Sequence, residues 1–272
     1  MSCIRIKSRV DKLYKRDLYT SSKIEDIVAQ HITEYDMKSA GLSLIKEYSL
    51  LPADRIKELE SFPKSIMVRE IGLIMRDNKE FNKKLSRAFS MMRKQFFKEN
   101  DLNSENVLSI KKDAVYVIGK TCAHTKFGEV EFVPKNKYTS YHKFGNIGMY
   151  YRSWTDTLDI KGISDEKLVD HEKYMIALLK KIFKLIETNE HKALVRLVKD
   201  FIMHYKDLDA QLGFYRELNS DSVFTLNQNS NVSDHYLIGL ENIDESMIGS
   251  INISYNYLNF IVPIVQRYYF TR

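Results

Sequence analysis

Two short β-prone runs joined by three polar residues constrain this sequence more than any other feature. The first run is Val107-Leu108-Ser109-Ile110, the second is Ala114-Val115-Tyr116-Val117-Ile118, and Lys111-Lys112-Asp113 connects them. Two such runs this close together predict an antiparallel hairpin. Because its strands are almost wholly apolar, the hairpin has to be buried within a larger sheet.

The segment before this hairpin predicts an amphipathic helix. Its apolar residues recur at steps of three and four, which builds one apolar face; they are Phe81, Leu85, Ala88, Phe89, Met92 and Phe96. The basic residues fall on the opposite side, as on many solvated helix faces: Lys84, Arg87, Lys94 and Lys98. Shorter helices are predicted over 53–59 and 64–79.

Further strands are predicted on both sides of this helical segment. Residues 31–37 alternate between polar and apolar, as a half-buried strand does, and strand-like runs follow at 129–133, 135–141 and 148–151. Strands before and after a run of helices predict an α+β fold, with an antiparallel sheet and helices packed against it.

The chain changes character at about residue 164. Apolar residues with helical spacing over 168–186 and again over 194–205 predict a helical hairpin after the β-rich part. We therefore predict two domains. The first is an α+β domain over 1–163 with a helical insertion at about 50–100. The second is a helical subdomain over 164–272 that ends in an apolar strand or helix.

Composition narrows the classes of function. The formal net charge of +6 favours polyanionic partners. Cys3 and Cys122 lack the spacing of metal ligands, and the glycine loops and histidine motifs of common nucleotide-binding and hydrolytic enzymes are absent. The N-terminus is charged where a signal peptide needs an apolar centre, and no window of about 18 residues is apolar. We therefore expect a cytoplasmic protein, in a bacterial or phage-infected cell, with no membrane partner.

Two acidic residues are of interest because each follows a predicted strand. Asp36 ends the strand over 31–37, and Asp113 lies at the tip of the hairpin. A carboxylate beside a buried strand is held rigidly, and its charge is costly without a compensating cation. On neighbouring strands, two such acids can hold two divalent cations about 3.5–4 Å apart for in-line phosphoryl transfer. The alternative roles are a helix N-cap for Asp36 and a turn former for Asp113.

The segments around these acids resemble the palm motifs of family B DNA polymerases. The run Asp36-Met37-Lys38-Ser39-Ala40-Gly41-Leu42-Ser43 is similar to the first motif, an Asp followed by xxSLYPSI. The run Ser109-Ile110-Lys111-Lys112-Asp113-Ala114-Val115-Tyr116-Val117 resembles the third motif, YGDTDSIFV. Asp113 takes its second acidic position, and Lys111 stands at the first. A single hairpin acid is also similar to the family A pattern.

Two more elements follow in the family B order. Lys135-Asn136-Lys137-Tyr138 is similar to the KKxY motif, and Ile160-Lys161-Gly162-Ile163 is similar to the KG element. Together the resemblance covers about residues 31–205. The fingers motif of that family, KxxxNSxYG, is not present in the sequence.

The resemblance implies a minimal palm-type nucleic-acid polymerase, with fingers-like helices at 50–100 and a thumb-like C-terminal subdomain. Asp36 and Asp113 would be the catalytic and metal-binding residues, with Mg²⁺ or Mn²⁺ as the cofactor. Nucleoside triphosphates would be the substrates, bound by Arg69 or Arg76, and DNA is expected in preference to RNA. The nucleic-acid backbone would be held by four residues: Lys135, Lys137, Tyr138 and Lys161.

Two other functions are consistent with the sequence. The first is a non-catalytic nucleic-acid-binding protein on a palm-like scaffold, which would keep the basic residues and use no metal. The second is a protein that binds a partner protein of the host, since a composition rich in Lys, Ile, Asn and Tyr is typical of AT-rich genomes, including those of phages. The aromatic residues near the C-terminus could form such an interface, although packing in a core is their commoner role.

Overall fold

The described part of the chain forms ten strands, which build two sheets. The computed structural model describes residues 12–145, 147–163, 168–169 and 172–207. The strands in chain order are β1 (Leu18–Thr20), β2 (Asp26–Ile27), β3 (Ile32–Met37), β4 (Val107–Lys111), β5 (Ala114–Ile118), β6 (Lys126–Phe127), β7 (Val130–Tyr138), β8 (Ser140–Phe144), β9 (Ile147–Arg152) and β10 (Thr157–Lys161). One sheet has the order β1-β4-β5-β3-β7-β6, and the other has the order β10-β9-β8-β2.

Six α-helices accompany these strands in the described part of the chain. They are α1 (Ala40–Glu47), α2 (Ala53–Ser61), α3 (Lys64–Asp77), α4 (Lys79–Glu99), α5 (Ala177–Glu187) and α6 (His191–Asp207). The fold is therefore α+β with antiparallel sheets, as the sequence predicted. None of the helices described has both the length and the apolar character that crossing a bilayer requires.

The predicted hairpin is formed by β4 and β5, and it lies in the middle of the six-stranded sheet. Lys111 pairs with Ala114, so the connection is a two-residue turn, Lys112-Asp113. β3 pairs with β5 in antiparallel register, with Asp36 opposite Ala114. This register brings the end of the strand that carries Asp36 beside the turn that carries Asp113.

Helix α4 covers one face of this sheet. Asn78 caps the helix, because its side chain accepts a hydrogen bond from the backbone N–H of Phe81. The predicted apolar face is buried, and at its centre Phe96 stacks on Phe132 of β7 with ring centroids 4.0 Å apart. Tyr35 of β3 packs on Phe96 at 5.7 Å. The odd-numbered residues of β3 therefore face α4, and its even-numbered residues face the other way.

The residues form two compact units. Among the described residues, unit 1 contains 12–24 together with Gln30–Lys137, and unit 2 contains Glu25–Ala29 together with those between Tyr138 and 207. The division of the sequence into residues 1–163 and 164–272 stays a prediction. Within unit 2, β8 pairs with both β9 and β2.

Unit 2 combines its four-stranded sheet with the helices α5 and α6. Tyr151 of β9 stacks on Phe183 of α5 with centroids 5.5 Å apart, and both residues are buried. The predicted helical hairpin is observed in α5 and α6, and a π-helical turn over Glu172–Ile176 precedes α5. The predicted C-terminal strand or helix falls in 208–272, outside the described residues.

Truncation of Phe96 tests the packing of α4 on the sheet. We expect Phe96→Ala to lower the free energy of unfolding by about 3–5 kcal/mol, because a fully buried ring is lost and a cavity remains. Urea denaturation followed by circular dichroism measures the change. Met91→Ala on the same helix is the control, since Met91 is 56% exposed and its loss should cost about 0.5 kcal/mol or less. Equal losses in both variants would contradict the described packing.

Candidate active site

Asp36 lies at the end of β3, on the sheet face that points away from α4. The alternation of the strand sends Tyr35 and Met37 into the core, and both are buried. The side chain of Asp36 is 24% exposed. The sequence folds this way because Tyr35 and Met37 pack in the core, which places Glu34 and Asp36 on the other face.

Asp113 lies in the turn between β4 and β5, next to the end of β3. The backbone N–H of Met37 donates a hydrogen bond to the carbonyl oxygen of Asp113 at 3.0 Å. The structure thus places Asp36 and Asp113 at neighbouring strand ends, although 76 residues separate them in the sequence. The described ion pairs include none between Asp113 and Lys111.

The charge environment of Asp113 shows that the two acids interact. Burial raises the pKa of the Asp113 carboxyl, and the negative charge of Asp36 raises it further. Its own backbone N–H lowers the pKa, as do the cations of Lys135 and Lys112. A cation close to this carboxylate would stabilise its charged form, because the cation would offset the loss of hydration on burial and the repulsion from Asp36.

Lys135 of β7 places an ammonium group beside this pair. Its Nζ lies 3.4 Å from Oδ2 of Asp36, and its side chain is 56% exposed. The charge of Asp36 and the hydrogen bond to it raise the pKa of Lys135, and Glu34 and Asp113 contribute smaller effects in the same direction. The ammonium group therefore balances part of the negative charge of three carboxylates.

Glu34 is a third acid of this cluster, and the sequence analysis did not single it out. It is only 6% exposed, and its Oε2 accepts a hydrogen bond from Nδ2 of Asn136 at 2.6 Å. Its position two residues before Asp36 was the available signal, since residues two apart on a strand share a face. The polar character of Glu34 instead suggested a solvated position, whereas a neighbouring strand covers it.

Asp36 and Asp113 are suited to a cation that takes only some of its ligands from the protein. The described residues include no group of three or more His, Cys, Asp or Glu side chains placed to hold a metal ion. Mg²⁺ commonly binds one or two carboxylates and completes its shell with water and substrate phosphates. Asp36 and Asp113 can supply that smaller set, so the donor chemistry fits Mg²⁺ or Mn²⁺.

Arg69 and Arg76, the predicted triphosphate ligands, lie on helix α3. Both side chains are 70% exposed, and each pairs with the acid that follows it in the sequence. The Arg69 pair with Glu70 spans 3.6 Å, and the Arg76 pair with Asp77 spans 2.8 Å. Neither arginine contacts Asp36 or Asp113 among the interactions described.

A cavity of about 300 Å³ opens next to the end of β3. Its lining begins two residues after Asp36, with Lys38 and Ser39, and continues along α1 and the β6–β7 turn. Lys46 in this lining bridges Glu60 at 2.9 Å and Glu129 at 2.8 Å, and these carboxylates raise its pKa. The cavity is therefore basic, but its lysines are partly balanced by acids.

The remaining predicted nucleic-acid contacts differ in their exposure. Lys137 on β7 and Lys161 at the end of β10 are exposed. Tyr138 is completely buried, and its hydroxyl donates a hydrogen bond to Asp159 at 2.9 Å. The guanidinium group of Arg152 lies over the Tyr138 ring, 5.0 Å from the centroid. Tyr138 thus contributes to the interior of unit 2 in this structure.

The fold and the site define an α+β protein whose antiparallel sheet carries two carboxylates at neighbouring strand ends. A family model described as Bacteriophage PBS1 gene 130 protein matches residues 9–269. The chain therefore belongs to this phage protein family. A search of curated proteins found no match. Neither finding points to a polymerase, so the resemblance to polymerase palms remains a prediction.

The raised pKa of Asp113 predicts how its replacement changes stability with pH. A raised pKa means that the folded chain binds the proton more tightly than the unfolded chain, whose carboxyl titrates near 3.8. Ionised Asp113 therefore destabilises the fold at neutral pH, and this effect disappears as the pH falls below that value. We expect Asp113→Asn to raise the free energy of unfolding at pH 7.

Urea denaturation at pH 7 and pH 4 measures this effect. The stability gained by Asp113→Asn should shrink between the two pH values. Glu105→Gln is the matched control, because Glu105 is an exposed carboxylate outside the cluster. A gain that stays constant with pH, or a loss at pH 7, would contradict the described environment of Asp113.

Proposed function

We propose that this protein is a palm-type nucleotidyltransferase that acts on a nucleic acid, DNA in preference to RNA. The observation that carries the proposal is that Asp36 and Asp113 lie at neighbouring strand ends. Paired carboxylates in a fixed position are what two-metal phosphoryl transfer needs from a protein. The order of the four sequence segments that resemble family B palms supports the same function.

Asp36 and Asp113 would hold Mg²⁺ or Mn²⁺. The bound metal would stabilise the charge that develops on the attacking and leaving oxygens of a phosphoryl transfer. The protein itself contributes rigid carboxylates: pairing with β5 fixes Asp36, and the two-residue turn and its hydrogen bond from Met37 fix Asp113.

Lys135 has a defined part in this proposal. In the absence of a metal, its ammonium group pairs with Asp36 and reduces the repulsion between the acids. A metal would make that neutralisation unnecessary, and the half-exposed lysine is then available for a backbone phosphate. Together with the exposed Lys137 on the same strand, it would hold nucleic acid through phosphate contacts, which position a substrate without reading its sequence. Lys161 of unit 2 is a separate candidate for such a contact.

Two sets of basic side chains are candidates for the triphosphate of the nucleotide. Arg69 and Arg76 are the sequence-based candidates, and both are highly exposed on α3. Lys38 and Lys126 line the cavity that begins just after Asp36. If the cavity binds the triphosphate, Lys126→Ala should raise KM for the nucleotide and Arg76→Ala should not. If α3 binds it, the two results should be reversed.

A non-catalytic nucleic-acid-binding function is the second candidate. The ion pair between Lys135 and Asp36 favours it, because this pair neutralises the site without a metal. Lys111 adds a further cation on the strand before Asp113. Binding should then weaken steeply as salt increases and should not depend on Mg²⁺. A protein that captures a stable host partner and no nucleic acid would exclude both candidates.

Replacement of either acid tests the proposed reaction. We expect Asp36→Asn and Asp113→Asn each to reduce nucleotide incorporation on a primed template by at least about 100-fold, since each removes a metal-binding oxygen. Both variants should melt at the wild-type temperature or above it. Glu105→Gln should retain full incorporation. Wild-type activity in both asparagine variants would contradict the proposal.

The role of Lys135 gives a separate prediction. We expect Lys135→Met to bind Mn²⁺ several-fold more tightly than the wild type, because the metal no longer competes with an ammonium group for Asp36. Titration calorimetry or electron paramagnetic resonance of Mn²⁺ measures the affinity. Lys137→Met is the matched control, since Lys137 lies on the same strand and has no described contact with Asp36. Equal affinities in both variants would contradict the competition.

A further inference from the structure

Arg93 of α4 is a buried cation that the sequence analysis did not identify. Its side chain is 0% exposed, although it lies on a helix with many solvated basic residues. Its position was the available signal, because it lies four residues after Phe89 and three before Phe96, on the apolar side of the helix. A buried guanidinium group needs hydrogen-bond acceptors for its donors.

Arg93 makes three described hydrogen bonds. One goes to the β4–β5 turn that carries Asp113, and two go to the N-terminal segment, which is itself hydrogen-bonded to that turn. Nη1 donates to the carbonyl oxygen of Lys112 at 2.7 Å, and Nε donates to the carbonyl oxygen of Tyr14 at 3.0 Å. Nη2 donates to Oδ1 of Asp17 at 2.6 Å, which forms an ion pair. The guanidinium group therefore connects α4, the N-terminal segment and the β4–β5 turn.

The turn itself is held in an uncommon backbone conformation. Lys112 has a φ of 54°, in the left-handed region that a lysine rarely adopts. Its N–H donates to the carbonyl oxygen of Asp17 at 2.7 Å, while its own carbonyl oxygen accepts from Arg93. The backbone N–H and the backbone carbonyl of Lys112 are thus both hydrogen-bonded, and these contacts hold the turn in its conformation.

The contact with the Lys112 carbonyl also orients Asp113. In a trans peptide the C=O and the N–H point in opposite directions, and the described chain has no cis peptide bonds. With the Lys112 carbonyl directed at Arg93, the N–H of Asp113 is directed away from it. The orientation of this peptide sets the backbone from which the side chain of Asp113 projects. Arg93 therefore acts on the carboxylate through a single rigid peptide plane.

We propose that Arg93 is a positioning residue for the metal-binding carboxylate of Asp113. By holding the Lys112–Asp113 peptide, it keeps that carboxylate next to Asp36, so that a divalent cation binds without rearrangement of the turn. The inference rests on the proposed function, because it assumes that Asp36 and Asp113 bind a metal. The new element is Arg93, a buried residue outside the site on which metal binding by Asp36 and Asp113 would depend.

Mn²⁺ affinity, measured on the full chain with the metal alone, tests this inference. Arg93→Lys keeps the charge but cannot make all three hydrogen bonds, and we expect it to bind Mn²⁺ about 10–100-fold more weakly, as is typical when support of a metal ligand is lost. Leu85→Ala is the control for general destabilisation, since Leu85 is buried on the same helix about two turns from Arg93. It should keep wild-type affinity at a temperature where both variants are folded.

Asp17→Asn provides a second variant in case Arg93→Lys does not fold. Its side chain is 57% exposed, so folding should survive, and the weakened ion pair should lower the Mn²⁺ affinity in the same direction but by less. Wild-type affinity in Arg93→Lys and Asp17→Asn, together with loss of binding in Asp113→Asn, would overturn the positioning role alone. Wild-type affinity in Asp113→Asn and Asp36→Asn would instead overturn the proposed function.

Discussion

The antiparallel register between β3 and β5 is the constraint on which the rest of the site depends. With Asp36 opposite Ala114, the side chains of Tyr35 and Met37 enter the core and Asp36 meets the turn that carries Asp113. Because side chains alternate along a strand, a slip of one residue would turn Asp36 into the core and Tyr35 toward the other face. The packing of Tyr35 on Phe96 therefore fixes the position of the acids as well as the stability of the sheet.

The site combines features that oppose each other energetically. Two carboxylates at one edge repel, and burial raises the pKa of Asp113. The structure offsets this with Lys135, which lies on the next strand and remains half-exposed. A partly exposed ion pair of this kind contributes little to stability, about 0–1 kcal/mol. Its importance in this protein is that it offsets part of the repulsion between the two carboxylates while Lys135 stays exposed to solvent.

The sequence was sufficient to predict those elements whose pattern is local. The hairpin at 107–118, the strand ending at Asp36 and helix α4 follow from alternation, a short connection and a three-to-four spacing, and all three are observed. The convergence of Asp36 and Asp113 could be suggested because both follow strands. Which strands are neighbours, however, depends on tertiary packing, which no local pattern specifies.

Contacts between distant segments could not be predicted in this way. Glu34 is polar but buried, and Arg93 is charged but fully buried, so the polarity of their side chains assigns both to solvent. Their partners lie 102 residues away at Asn136 and 76 residues away at Asp17. The pairing of β2 with β8 likewise joins segments more than 100 residues apart.

The most direct test of this account is a crystal of the protein soaked with Mn²⁺, with anomalous scattering used to locate the metal. The account predicts an anomalous peak in contact with both Asp36 and Asp113, with Lys135 displaced from Asp36. A fully occupied Mn²⁺ site elsewhere, with the Lys135–Asp36 pair intact and no density between the two acids, would contradict it.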